Sequence, residues 1–280
     1  MQNETYGSLH KGGKFMSYLY ETHLHTTAAS ACARSAGSEY ISFYKNLGYD
    51  GIIVTDHFFN GNCCVPRNLP WEERVDIFCS GYEDARAEGD RQGLKVFFAW
   101  ECQFYGDEYL VYGLDKKWLK DHPEMMEWDH ITHYEKIRAD GGLVVQAHPF
   151  RERNYLTEVY VHPHQCDAFE VANAGNPYEQ DRMAYRYAME HHITMTAGSD
   201  IHRVNQTNNG SIYGMAFDKP LNTIDDYVAR IKSGTGFSLH VPPEYLAWEE
   251  GTTNHLPVFV FDRTNTPIPT HNIDDIFSAF

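Results

Sequence analysis

The sequence predicts an α/β fold, a (β/α) barrel. Six stretches are near-continuous apolar runs, the pattern of parallel strands buried on both faces beneath helices. Helical segments separate most of them. Each run ends in a polar cluster able to bind metal, and (β/α) barrels assemble their sites at the C-terminal ends of several strands.

The first run, 18–22, leads into His23-Leu24-His25. A helix follows over 37–48, with Ser38 as N-cap, Gly48 as C-cap, and Tyr40, Ile41, Tyr44 and Leu47 on the face turned to the barrel. The second run, 51–55, leads into Asp56-His57. Gly61, the Cys63-Cys64 pair and Pro66 make 58–69 an irregular loop above the site, of the kind that sets specificity. The next crossover is a long helix over 70–93, with Trp71, Val75, Phe78, Tyr82, Ala85 and Gly89 along one face. The third run, 95–100, leads into Glu101, and 109–113 reads as an antiparallel strand returning from the rim. After a helix over 128–139, the fourth run, 142–147, leads into His148-Pro149. The fifth, 168–172, ends at Asn173. A helix over 180–191 precedes the sixth, 193–199, which leads into Asp200-Ile201-His202. Strands over 213–217 and 237–241 close the barrel around a helix at 224–233 capped by Thr223.

This divides the 280 residues into a leader (1–16), a catalytic barrel (17–241) and a C-terminal extension without a site (242–280). A single barrel uses about 250 residues. With 42% hydrophobic and 22% charged residues the composition is that of a globular protein rather than a disordered one. No run reaches the roughly 18–20 apolar residues of a membrane span, and 1–15 has no apolar signal core, so a cytoplasmic location is expected. Cys32, Cys63, Cys64, Cys79, Cys102 and Cys166 are irregularly spaced and read as reduced thiols. The net charge of −16, from 39 acidic and 23 basic residues, argues against tracking a phosphate backbone. Neither long nucleic acid nor a membrane is an expected partner, and no oligomeric partner is assigned.

In a His-x-His at a strand end, the period of two puts both imidazoles on one side, an arrangement that suits zinc, iron or manganese. A carboxylate at the end of a strand as apolar as 95–100 needs a partner to offset desolvation, and Glu101 would find it in a bridging cation or in an arginine. Asp200-Ile201-His202 repeats the first spacing with a carboxylate included. His23, His25, His57, Glu101, His148, Asp200 and His202 all fall at successive strand ends. These are more ligands than one tetrahedral ion takes, which implies two or three adjacent divalent cations.

Taken together, His23-Leu24-His25-Thr26, Thr55-Asp56-His57, the strand-ending Glu101, Ala147-His148-Pro149, Glu170-Val171-Ala172-Asn173 and Gly198-Ser199-Asp200-Ile201-His202 resemble the PHP (polymerase and histidinol phosphatase) superfamily over about residues 20–241. The resemblance implies a distorted seven-stranded (β/α)7 barrel, two to three divalent cations (zinc, manganese or iron) and phosphoesterase chemistry. It implies that His23, His25, Glu101 and Asp200 hold one ion, that Glu101 bridges to a second also bound by His148, and that His57 and His202 hold a third. Asn173 would stand beside the site. The sequence departs from the family pattern twice. Where a ligand to the third ion is expected after His-x-His, only Cys32 is available, and where a histidine is expected near Leu110, Glu108 would replace it. His122, His130 and His133 read as helix or loop histidines.

The expected reaction is hydrolysis of a small phosphomonoester, the small phosphorylated partner, by a metal-activated hydroxide at a di- or trinuclear site. Arg151 is the expected clamp on the phosphoryl oxygens, while Arg34, Arg153 and Arg203 read equally well as surface arginines. His202 or His57, where not taken up as a metal ligand, or else water, would protonate the leaving oxygen. The competing readings are a phosphodiesterase or exonuclease on short nucleotides, and a non-catalytic metal-binding regulatory module.

Overall fold

The protein is described from a computed structural model over residues 17–205 and 212–280; the leader over 1–16 lies outside the described residues. In chain order the strands are β1 (Tyr18–Glu21), β2 (Gly51–Val54), β3 (Lys95–Phe104), β4 (Asp107–Tyr112), β5 (Leu143–Gln146), β6 (Val159–Val161), β7 (Ala168–Asn173), β8 (Thr194–Gly198), β9 (Gly214–Phe217), β10 (Phe237–His240), β11 (Val258–Phe261) and β12 (Pro267–Ile268). The helices are α1 (Glu39–Asn46), α2 (Trp71–Gln92), α3 (Lys116–Asp121), α4 (His130–Ala139), α5 (Tyr178–Glu190), α6 (Ile224–Ser233), α7 (Pro243–Leu246) and α8 (Ile273–Ser278), with a 3-10 turn over Pro123–Glu127.

The main sheet has nine strands, in the order β10-β9-β1-β2-β3-β4-β5-β7-β8, rather than seven. The physical reason lies in β1. Its lower part pairs antiparallel with β9, whereas the chain beyond it bridges to the end of β8 at Leu24 and Ile201. His25 N donates to Ile201 O at 2.9 Å, and Thr22 Oγ1 to Ala197 O at 2.7 Å. The barrel therefore closes on its metal-capable end, through β1, β2, β3, β4, β5, β7 and β8, while β9 and β10 extend the sheet outward from β1.

Burial on both faces explains the continuous apolar runs. Phe97 and Ala99 of β3, Leu110 and Tyr112 of β4, and Leu143 and Val145 of β5 form one packed layer. Their neighbours Phe98, Trp100, Tyr109, Val111 and Val144 pack in another, with Val75 and Phe78 of α2. Glu101 and Glu108 continue the first parity to the barrel mouth. β3 runs three residues past Glu101 because it turns directly into β4: Tyr105 (φ 53°) and Gly106 (φ 100°) form a two-residue hairpin loop with both φ positive.

Helix ends follow the expected chemistry at α6, where Thr223 and Asp226 form a capping box and Gly234 is left-handed. At α1, Gly48 is left-handed, but the Ser38 side chain makes no cap bond; its backbone N donates to Asp84 Oδ2 at 2.7 Å instead. Residues 242–280 fold back onto the barrel. β11 pairs parallel with β6, and Ile276, Phe277 and Ala279 are buried in the same core as Phe169 and Tyr187. No helix of the described residues is long and apolar enough to cross a membrane.

Candidate metal centre

The seven residues that end the apolar runs meet at the barrel mouth. Glu101 is the hub. Its Oε1 lies 3.2 Å from His23 Nε2 and 3.3 Å from His148 Nε2, and its Oε2 lies 2.7 Å from His57 Nδ1 and 3.5 Å from His25 Nε2. Asp200 Oδ1 stands across from it, 3.2 Å from His25 Nε2, 3.5 Å from His23 Nε2 and 3.6 Å from His202 Nδ1. The His25 ring packs against those of His57 (4.3 Å) and His202 (4.4 Å), which lie 6.1 Å from each other. His202 is the most exposed of the set; the other six are buried.

The closed barrel imposes backbone strain where it presents two of these groups. His148 has φ 31° and Asp200 φ 52°, values that non-glycine residues seldom adopt and that cluster at functional sites. A layer of buried acceptors fixes the rings. Glu170 Oε1 lies 2.9 Å from His23 Nδ1, and its Oε2 accepts from His148 N (3.1 Å) and Asn173 Nδ2 (2.8 Å). Ser30 Oγ, which donates to Asp56 Oδ1 at 2.6 Å, lies 3.1 Å from His25 Nδ1. Glu21 ties β1 to the end of β8, accepting from His23 N and Ser199 N, both at 2.9 Å, and from Tyr44 OH at 2.6 Å.

The electrostatics are those of an anionic cage. Burial alone would keep His23 and His57 neutral, yet the surrounding carboxylates, Glu170, Asp200 and Glu101 for His23 and Glu101 for His57, hold both well above the usual imidazole range. Burial, then the neighbouring His57 and His202, holds His25 well below that range. His148 is brought down to about 4 by burial and by Arg151. Burial opposes ionisation of Glu101 and Asp200, but His23 and His57 for the one, and Arg151 and His23 for the other, keep both well below the carboxylate range. Burial and the Glu101 charge push Glu108 up to about 7.

Donor atoms converge in four groups: His23, His25 and Glu101; His23, His148 and Asp200; His25, His57 and His202; and His57, Glu101 and Glu108. The residues fit divalent cations on one further count. His57 Nδ1 and Glu101 Oε2 are fully buried and have no hydrogen-bond partner, although they face each other. Buried polar atoms are seldom left so, and a cation would satisfy both.

Of the two positions where the sequence departs from the family pattern, Glu108 reaches the centre, 3.4 Å from His148 Nε2 and 3.7 Å from His57 Nδ1. Cys32 lies beside the third group: burial would raise its thiol, but hydrogen bonds from His202 and His57 bring it down to about 6. Asn173 is buried beside Glu170, as expected. Arg151 enters the site, pairing through Nη2 with Asp200 Oδ2 and lying 3.7 Å from Glu108 Oε2. Arg153 stands next to it, Arg34 binds the carbonyls of Ala31 and Ala33, and Arg203 is exposed. His122, His130 and His133 lie outside the cluster, His130 and His133 buried in α4. Glu170 stands in one of the sequence motifs without an assigned role, and Glu21 lies unassigned within the first apolar run. The signal for Glu170 was present, since a carboxylate inside a fully buried apolar strand demands partners.

No family model matches the sequence, and no curated protein matches it. Solved structures do resemble the fold. A two-domain protein from Bacteroides vulgatus ATCC 8482, containing a predicted PHP-like metal-dependent phosphoesterase, matches 80% of this chain with a TM-score of 0.57 and 12% identity. This chain spans 64% of that protein's length, less than two thirds. An inferred metal-dependent phosphoesterase from Bifidobacterium adolescentis ATCC 15703 matches 75% of this chain and 94% of its own, with a TM-score of 0.50 and 14% identity. An amidohydrolase from Chromobacterium violaceum, with bound sulfate and no metal, covers 80% of this chain and 99% of its own at 13% identity and a TM-score of 0.48. At these identities the likeness to the first two establishes the fold alone.

Proposed function

We propose that this chain, with the fold of PHP-like phosphoesterases, is a metal-dependent hydrolase of a small phosphomonoester. The observation that carries the reading is the convergence of His23, His25, His57, Glu101, His148, Asp200 and His202, within which His57 Nδ1 and Glu101 Oε2 face each other buried without a hydrogen-bond partner. His23, His25, Glu101 and Asp200 would hold one cation. Glu101, His148 and Glu108 would hold a second, and His57 and His202, with Cys32 beside them, a third. Divalent cations in such positions supply Lewis acidity and a water deprotonated near neutral pH.

The remaining chemistry belongs to side chains. Glu170 and the Ser30–Asp56 pair hold His23 and His25 in one orientation, as carboxylates behind metal-binding histidines do. Arg151, held through Nε by Asn176 Oδ1 at 2.9 Å, aims its guanidinium at the cluster, where it would neutralise non-bridging phosphoryl oxygens. His202 Nδ1 lies 2.8 Å from the carbonyl of Asp200, and its ring stands against that of His25 at the edge of the cluster. There it would hold a proton for the leaving oxygen when it holds no cation.

The test is hydrolysis of a panel of phosphomonoesters and short diesters by protein reconstituted with manganese, zinc or iron. Monoester turnover abolished in Asp200→Ala and His148→Ala, with Arg151→Ala raising KM rather than releasing metal, supports the reading. Turnover confined to diesters would replace it with the phosphodiesterase reading. Silence with every metal would leave a binding role.

A further inference from the structure

Among the described residues Arg153 forms no ion pair, and the charges of Asp200 and Glu108 reach it only from a distance. It is half-buried, and its guanidinium bonds only neutral acceptors: Glu152 O at 2.9 Å, and Gly175 O and Asn176 Oδ1, both at 3.3 Å. No carboxylate lies within 4.0 Å of it among the described residues, whereas Arg151 pairs with Asp200. The two guanidiniums share one acceptor, because Arg151 Nε also donates to Asn176 Oδ1. Burial, and then the like charge of Arg151, holds Arg153 down to about 10. Two cations crowded on one amide oxygen, one of them forming no ion pair, is a costly arrangement unless a ligand completes it.

The segment is held in place from outside the barrel. Between the two arginines, Glu152 Oε1 accepts from His255 N (2.6 Å), Leu256 N (2.8 Å) and Asn254 Nδ2 (3.1 Å), and Asn254 Nδ2 also donates to Phe150 O at 2.9 Å. The C-terminal extension thus fastens the backbone from which both guanidiniums project. Arg151 points to the cation cluster through Asp200 and Glu108, while Arg153 forms no ion pair with either carboxylate, feels both at longer range, and stands in electrostatic reach of the exposed Tyr155.

We propose that Arg153 is a specificity-determining residue that binds a second anionic group of the substrate, a carboxylate or a second phosphate, next to the phosphoryl group held at Arg151. The substrate class is then a phosphomonoester carrying another acidic group a few bonds from the scissile ester. This rests on the phosphoesterase reading for the reaction but not for the binding, so the test is a binding measurement.

Titration calorimetry on the full metal-loaded chain would compare 3-phosphonopropionate with propylphosphonate, which differ by a carboxylate in place of a methyl group. The expected result is a preference of about tenfold or more for 3-phosphonopropionate. Arg153→Gln should reduce it to within twofold while leaving the affinity for propylphosphonate unchanged, and Arg153→Lys should retain part of it. A preference that survives Arg153→Gln, or an equal loss for both ligands, overturns the proposal. Should Arg153→Gln fail to fold, Arg153→Lys carries the test, with an unchanged preference as the contrary result. Absent turnover with the preference intact would refute the phosphoesterase reading alone.

Discussion

His57 Nδ1 lies 2.7 Å from Glu101 Oε2, yet neither atom is in hydrogen-bond geometry with any partner. Removing water from both without a third body is costly, so bound cations should stabilise the fold. Saturation at about 100-fold over Kd contributes ~2.7 kcal/mol per site. At ~2–4 °C per kcal/mol for a chain of this size, chelation should lower Tm by about 5–10 °C for each site emptied. Scanning fluorimetry of stripped and re-metallated protein checks this, and Glu101→Gln should abolish most of the shift. An unchanged Tm would count against cation binding.

Glu170 stands 2.9 Å behind His23, and its other oxygen holds the strained backbone of His148. Glu170→Gln keeps the shape but loses the charge that orients the imidazole. Metal affinity or activity should fall about 10–100-fold with little loss of fold. Metal titration of the variant measures it, and wild-type affinity would reduce Glu170 to a packing role.

These two relationships show what was legible in the sequence. His23, Glu101 and Asp200 could be read because each interrupts or ends an apolar run, and strand ends converge in a barrel. Glu21 and Glu170 obey the same rule but lie inside the runs 18–22 and 168–172, where sequence alone does not say which residue answers the charge. The nine-strand sheet was hidden for a related reason: β9 and β10 read as ordinary closing strands, and only the Leu24–Ile201 bridge shows that β8 closes the ring. The strands β6, β11 and β12 fall in stretches 149–167 and 242–280, which lack the alternation of apolar run and helix that marks the barrel strands.

A second buried histidine cluster predicts acid sensitivity. The ring nitrogens of His130 make no well-formed hydrogen bond, although the Gln165 backbone is in reach, and the ring packs on Tyr109 at 4.3 Å and His162 at 4.7 Å. Burial, then His162, holds His130 at about 3; burial, then His130, holds His133 at about 3; burial holds His162 at about 4. In the unfolded chain these groups titrate near ~6.5. With the folded values below the unfolded one, their stabilisation is complete above pH ~6.5 and is lost as pH falls toward ~4. Each histidine then costs roughly 1.4 kcal/mol per pH unit below ~6. His130→Phe should flatten the fall of Tm between about pH 6 and 4. An identical slope in the variant would contradict this.

Gly198 closes β8 against the centre. A Cβ there would meet His23 Cβ at 2.6 Å and Glu170 Oε1 at 2.7 Å, contacts that buried neighbours cannot absorb. Gly198→Ala should cost about 1–3 kcal/mol through overpacking and should also release metal by displacing His23. Thermal melting with metal analysis checks both effects. Full metal content at wild-type Tm would show that the site yields more readily than its packing implies.

The central claim is that the barrel mouth holds clustered cations for hydrolysis, and the most direct measurement is metal content per chain by elemental analysis after reconstitution and desalting. The account predicts two to three ions in the wild type and at most one in Glu101→Gln, since Glu101 touches His23, His25, His57 and His148. One ion or none in the wild type, or no change in the variant, would contradict it.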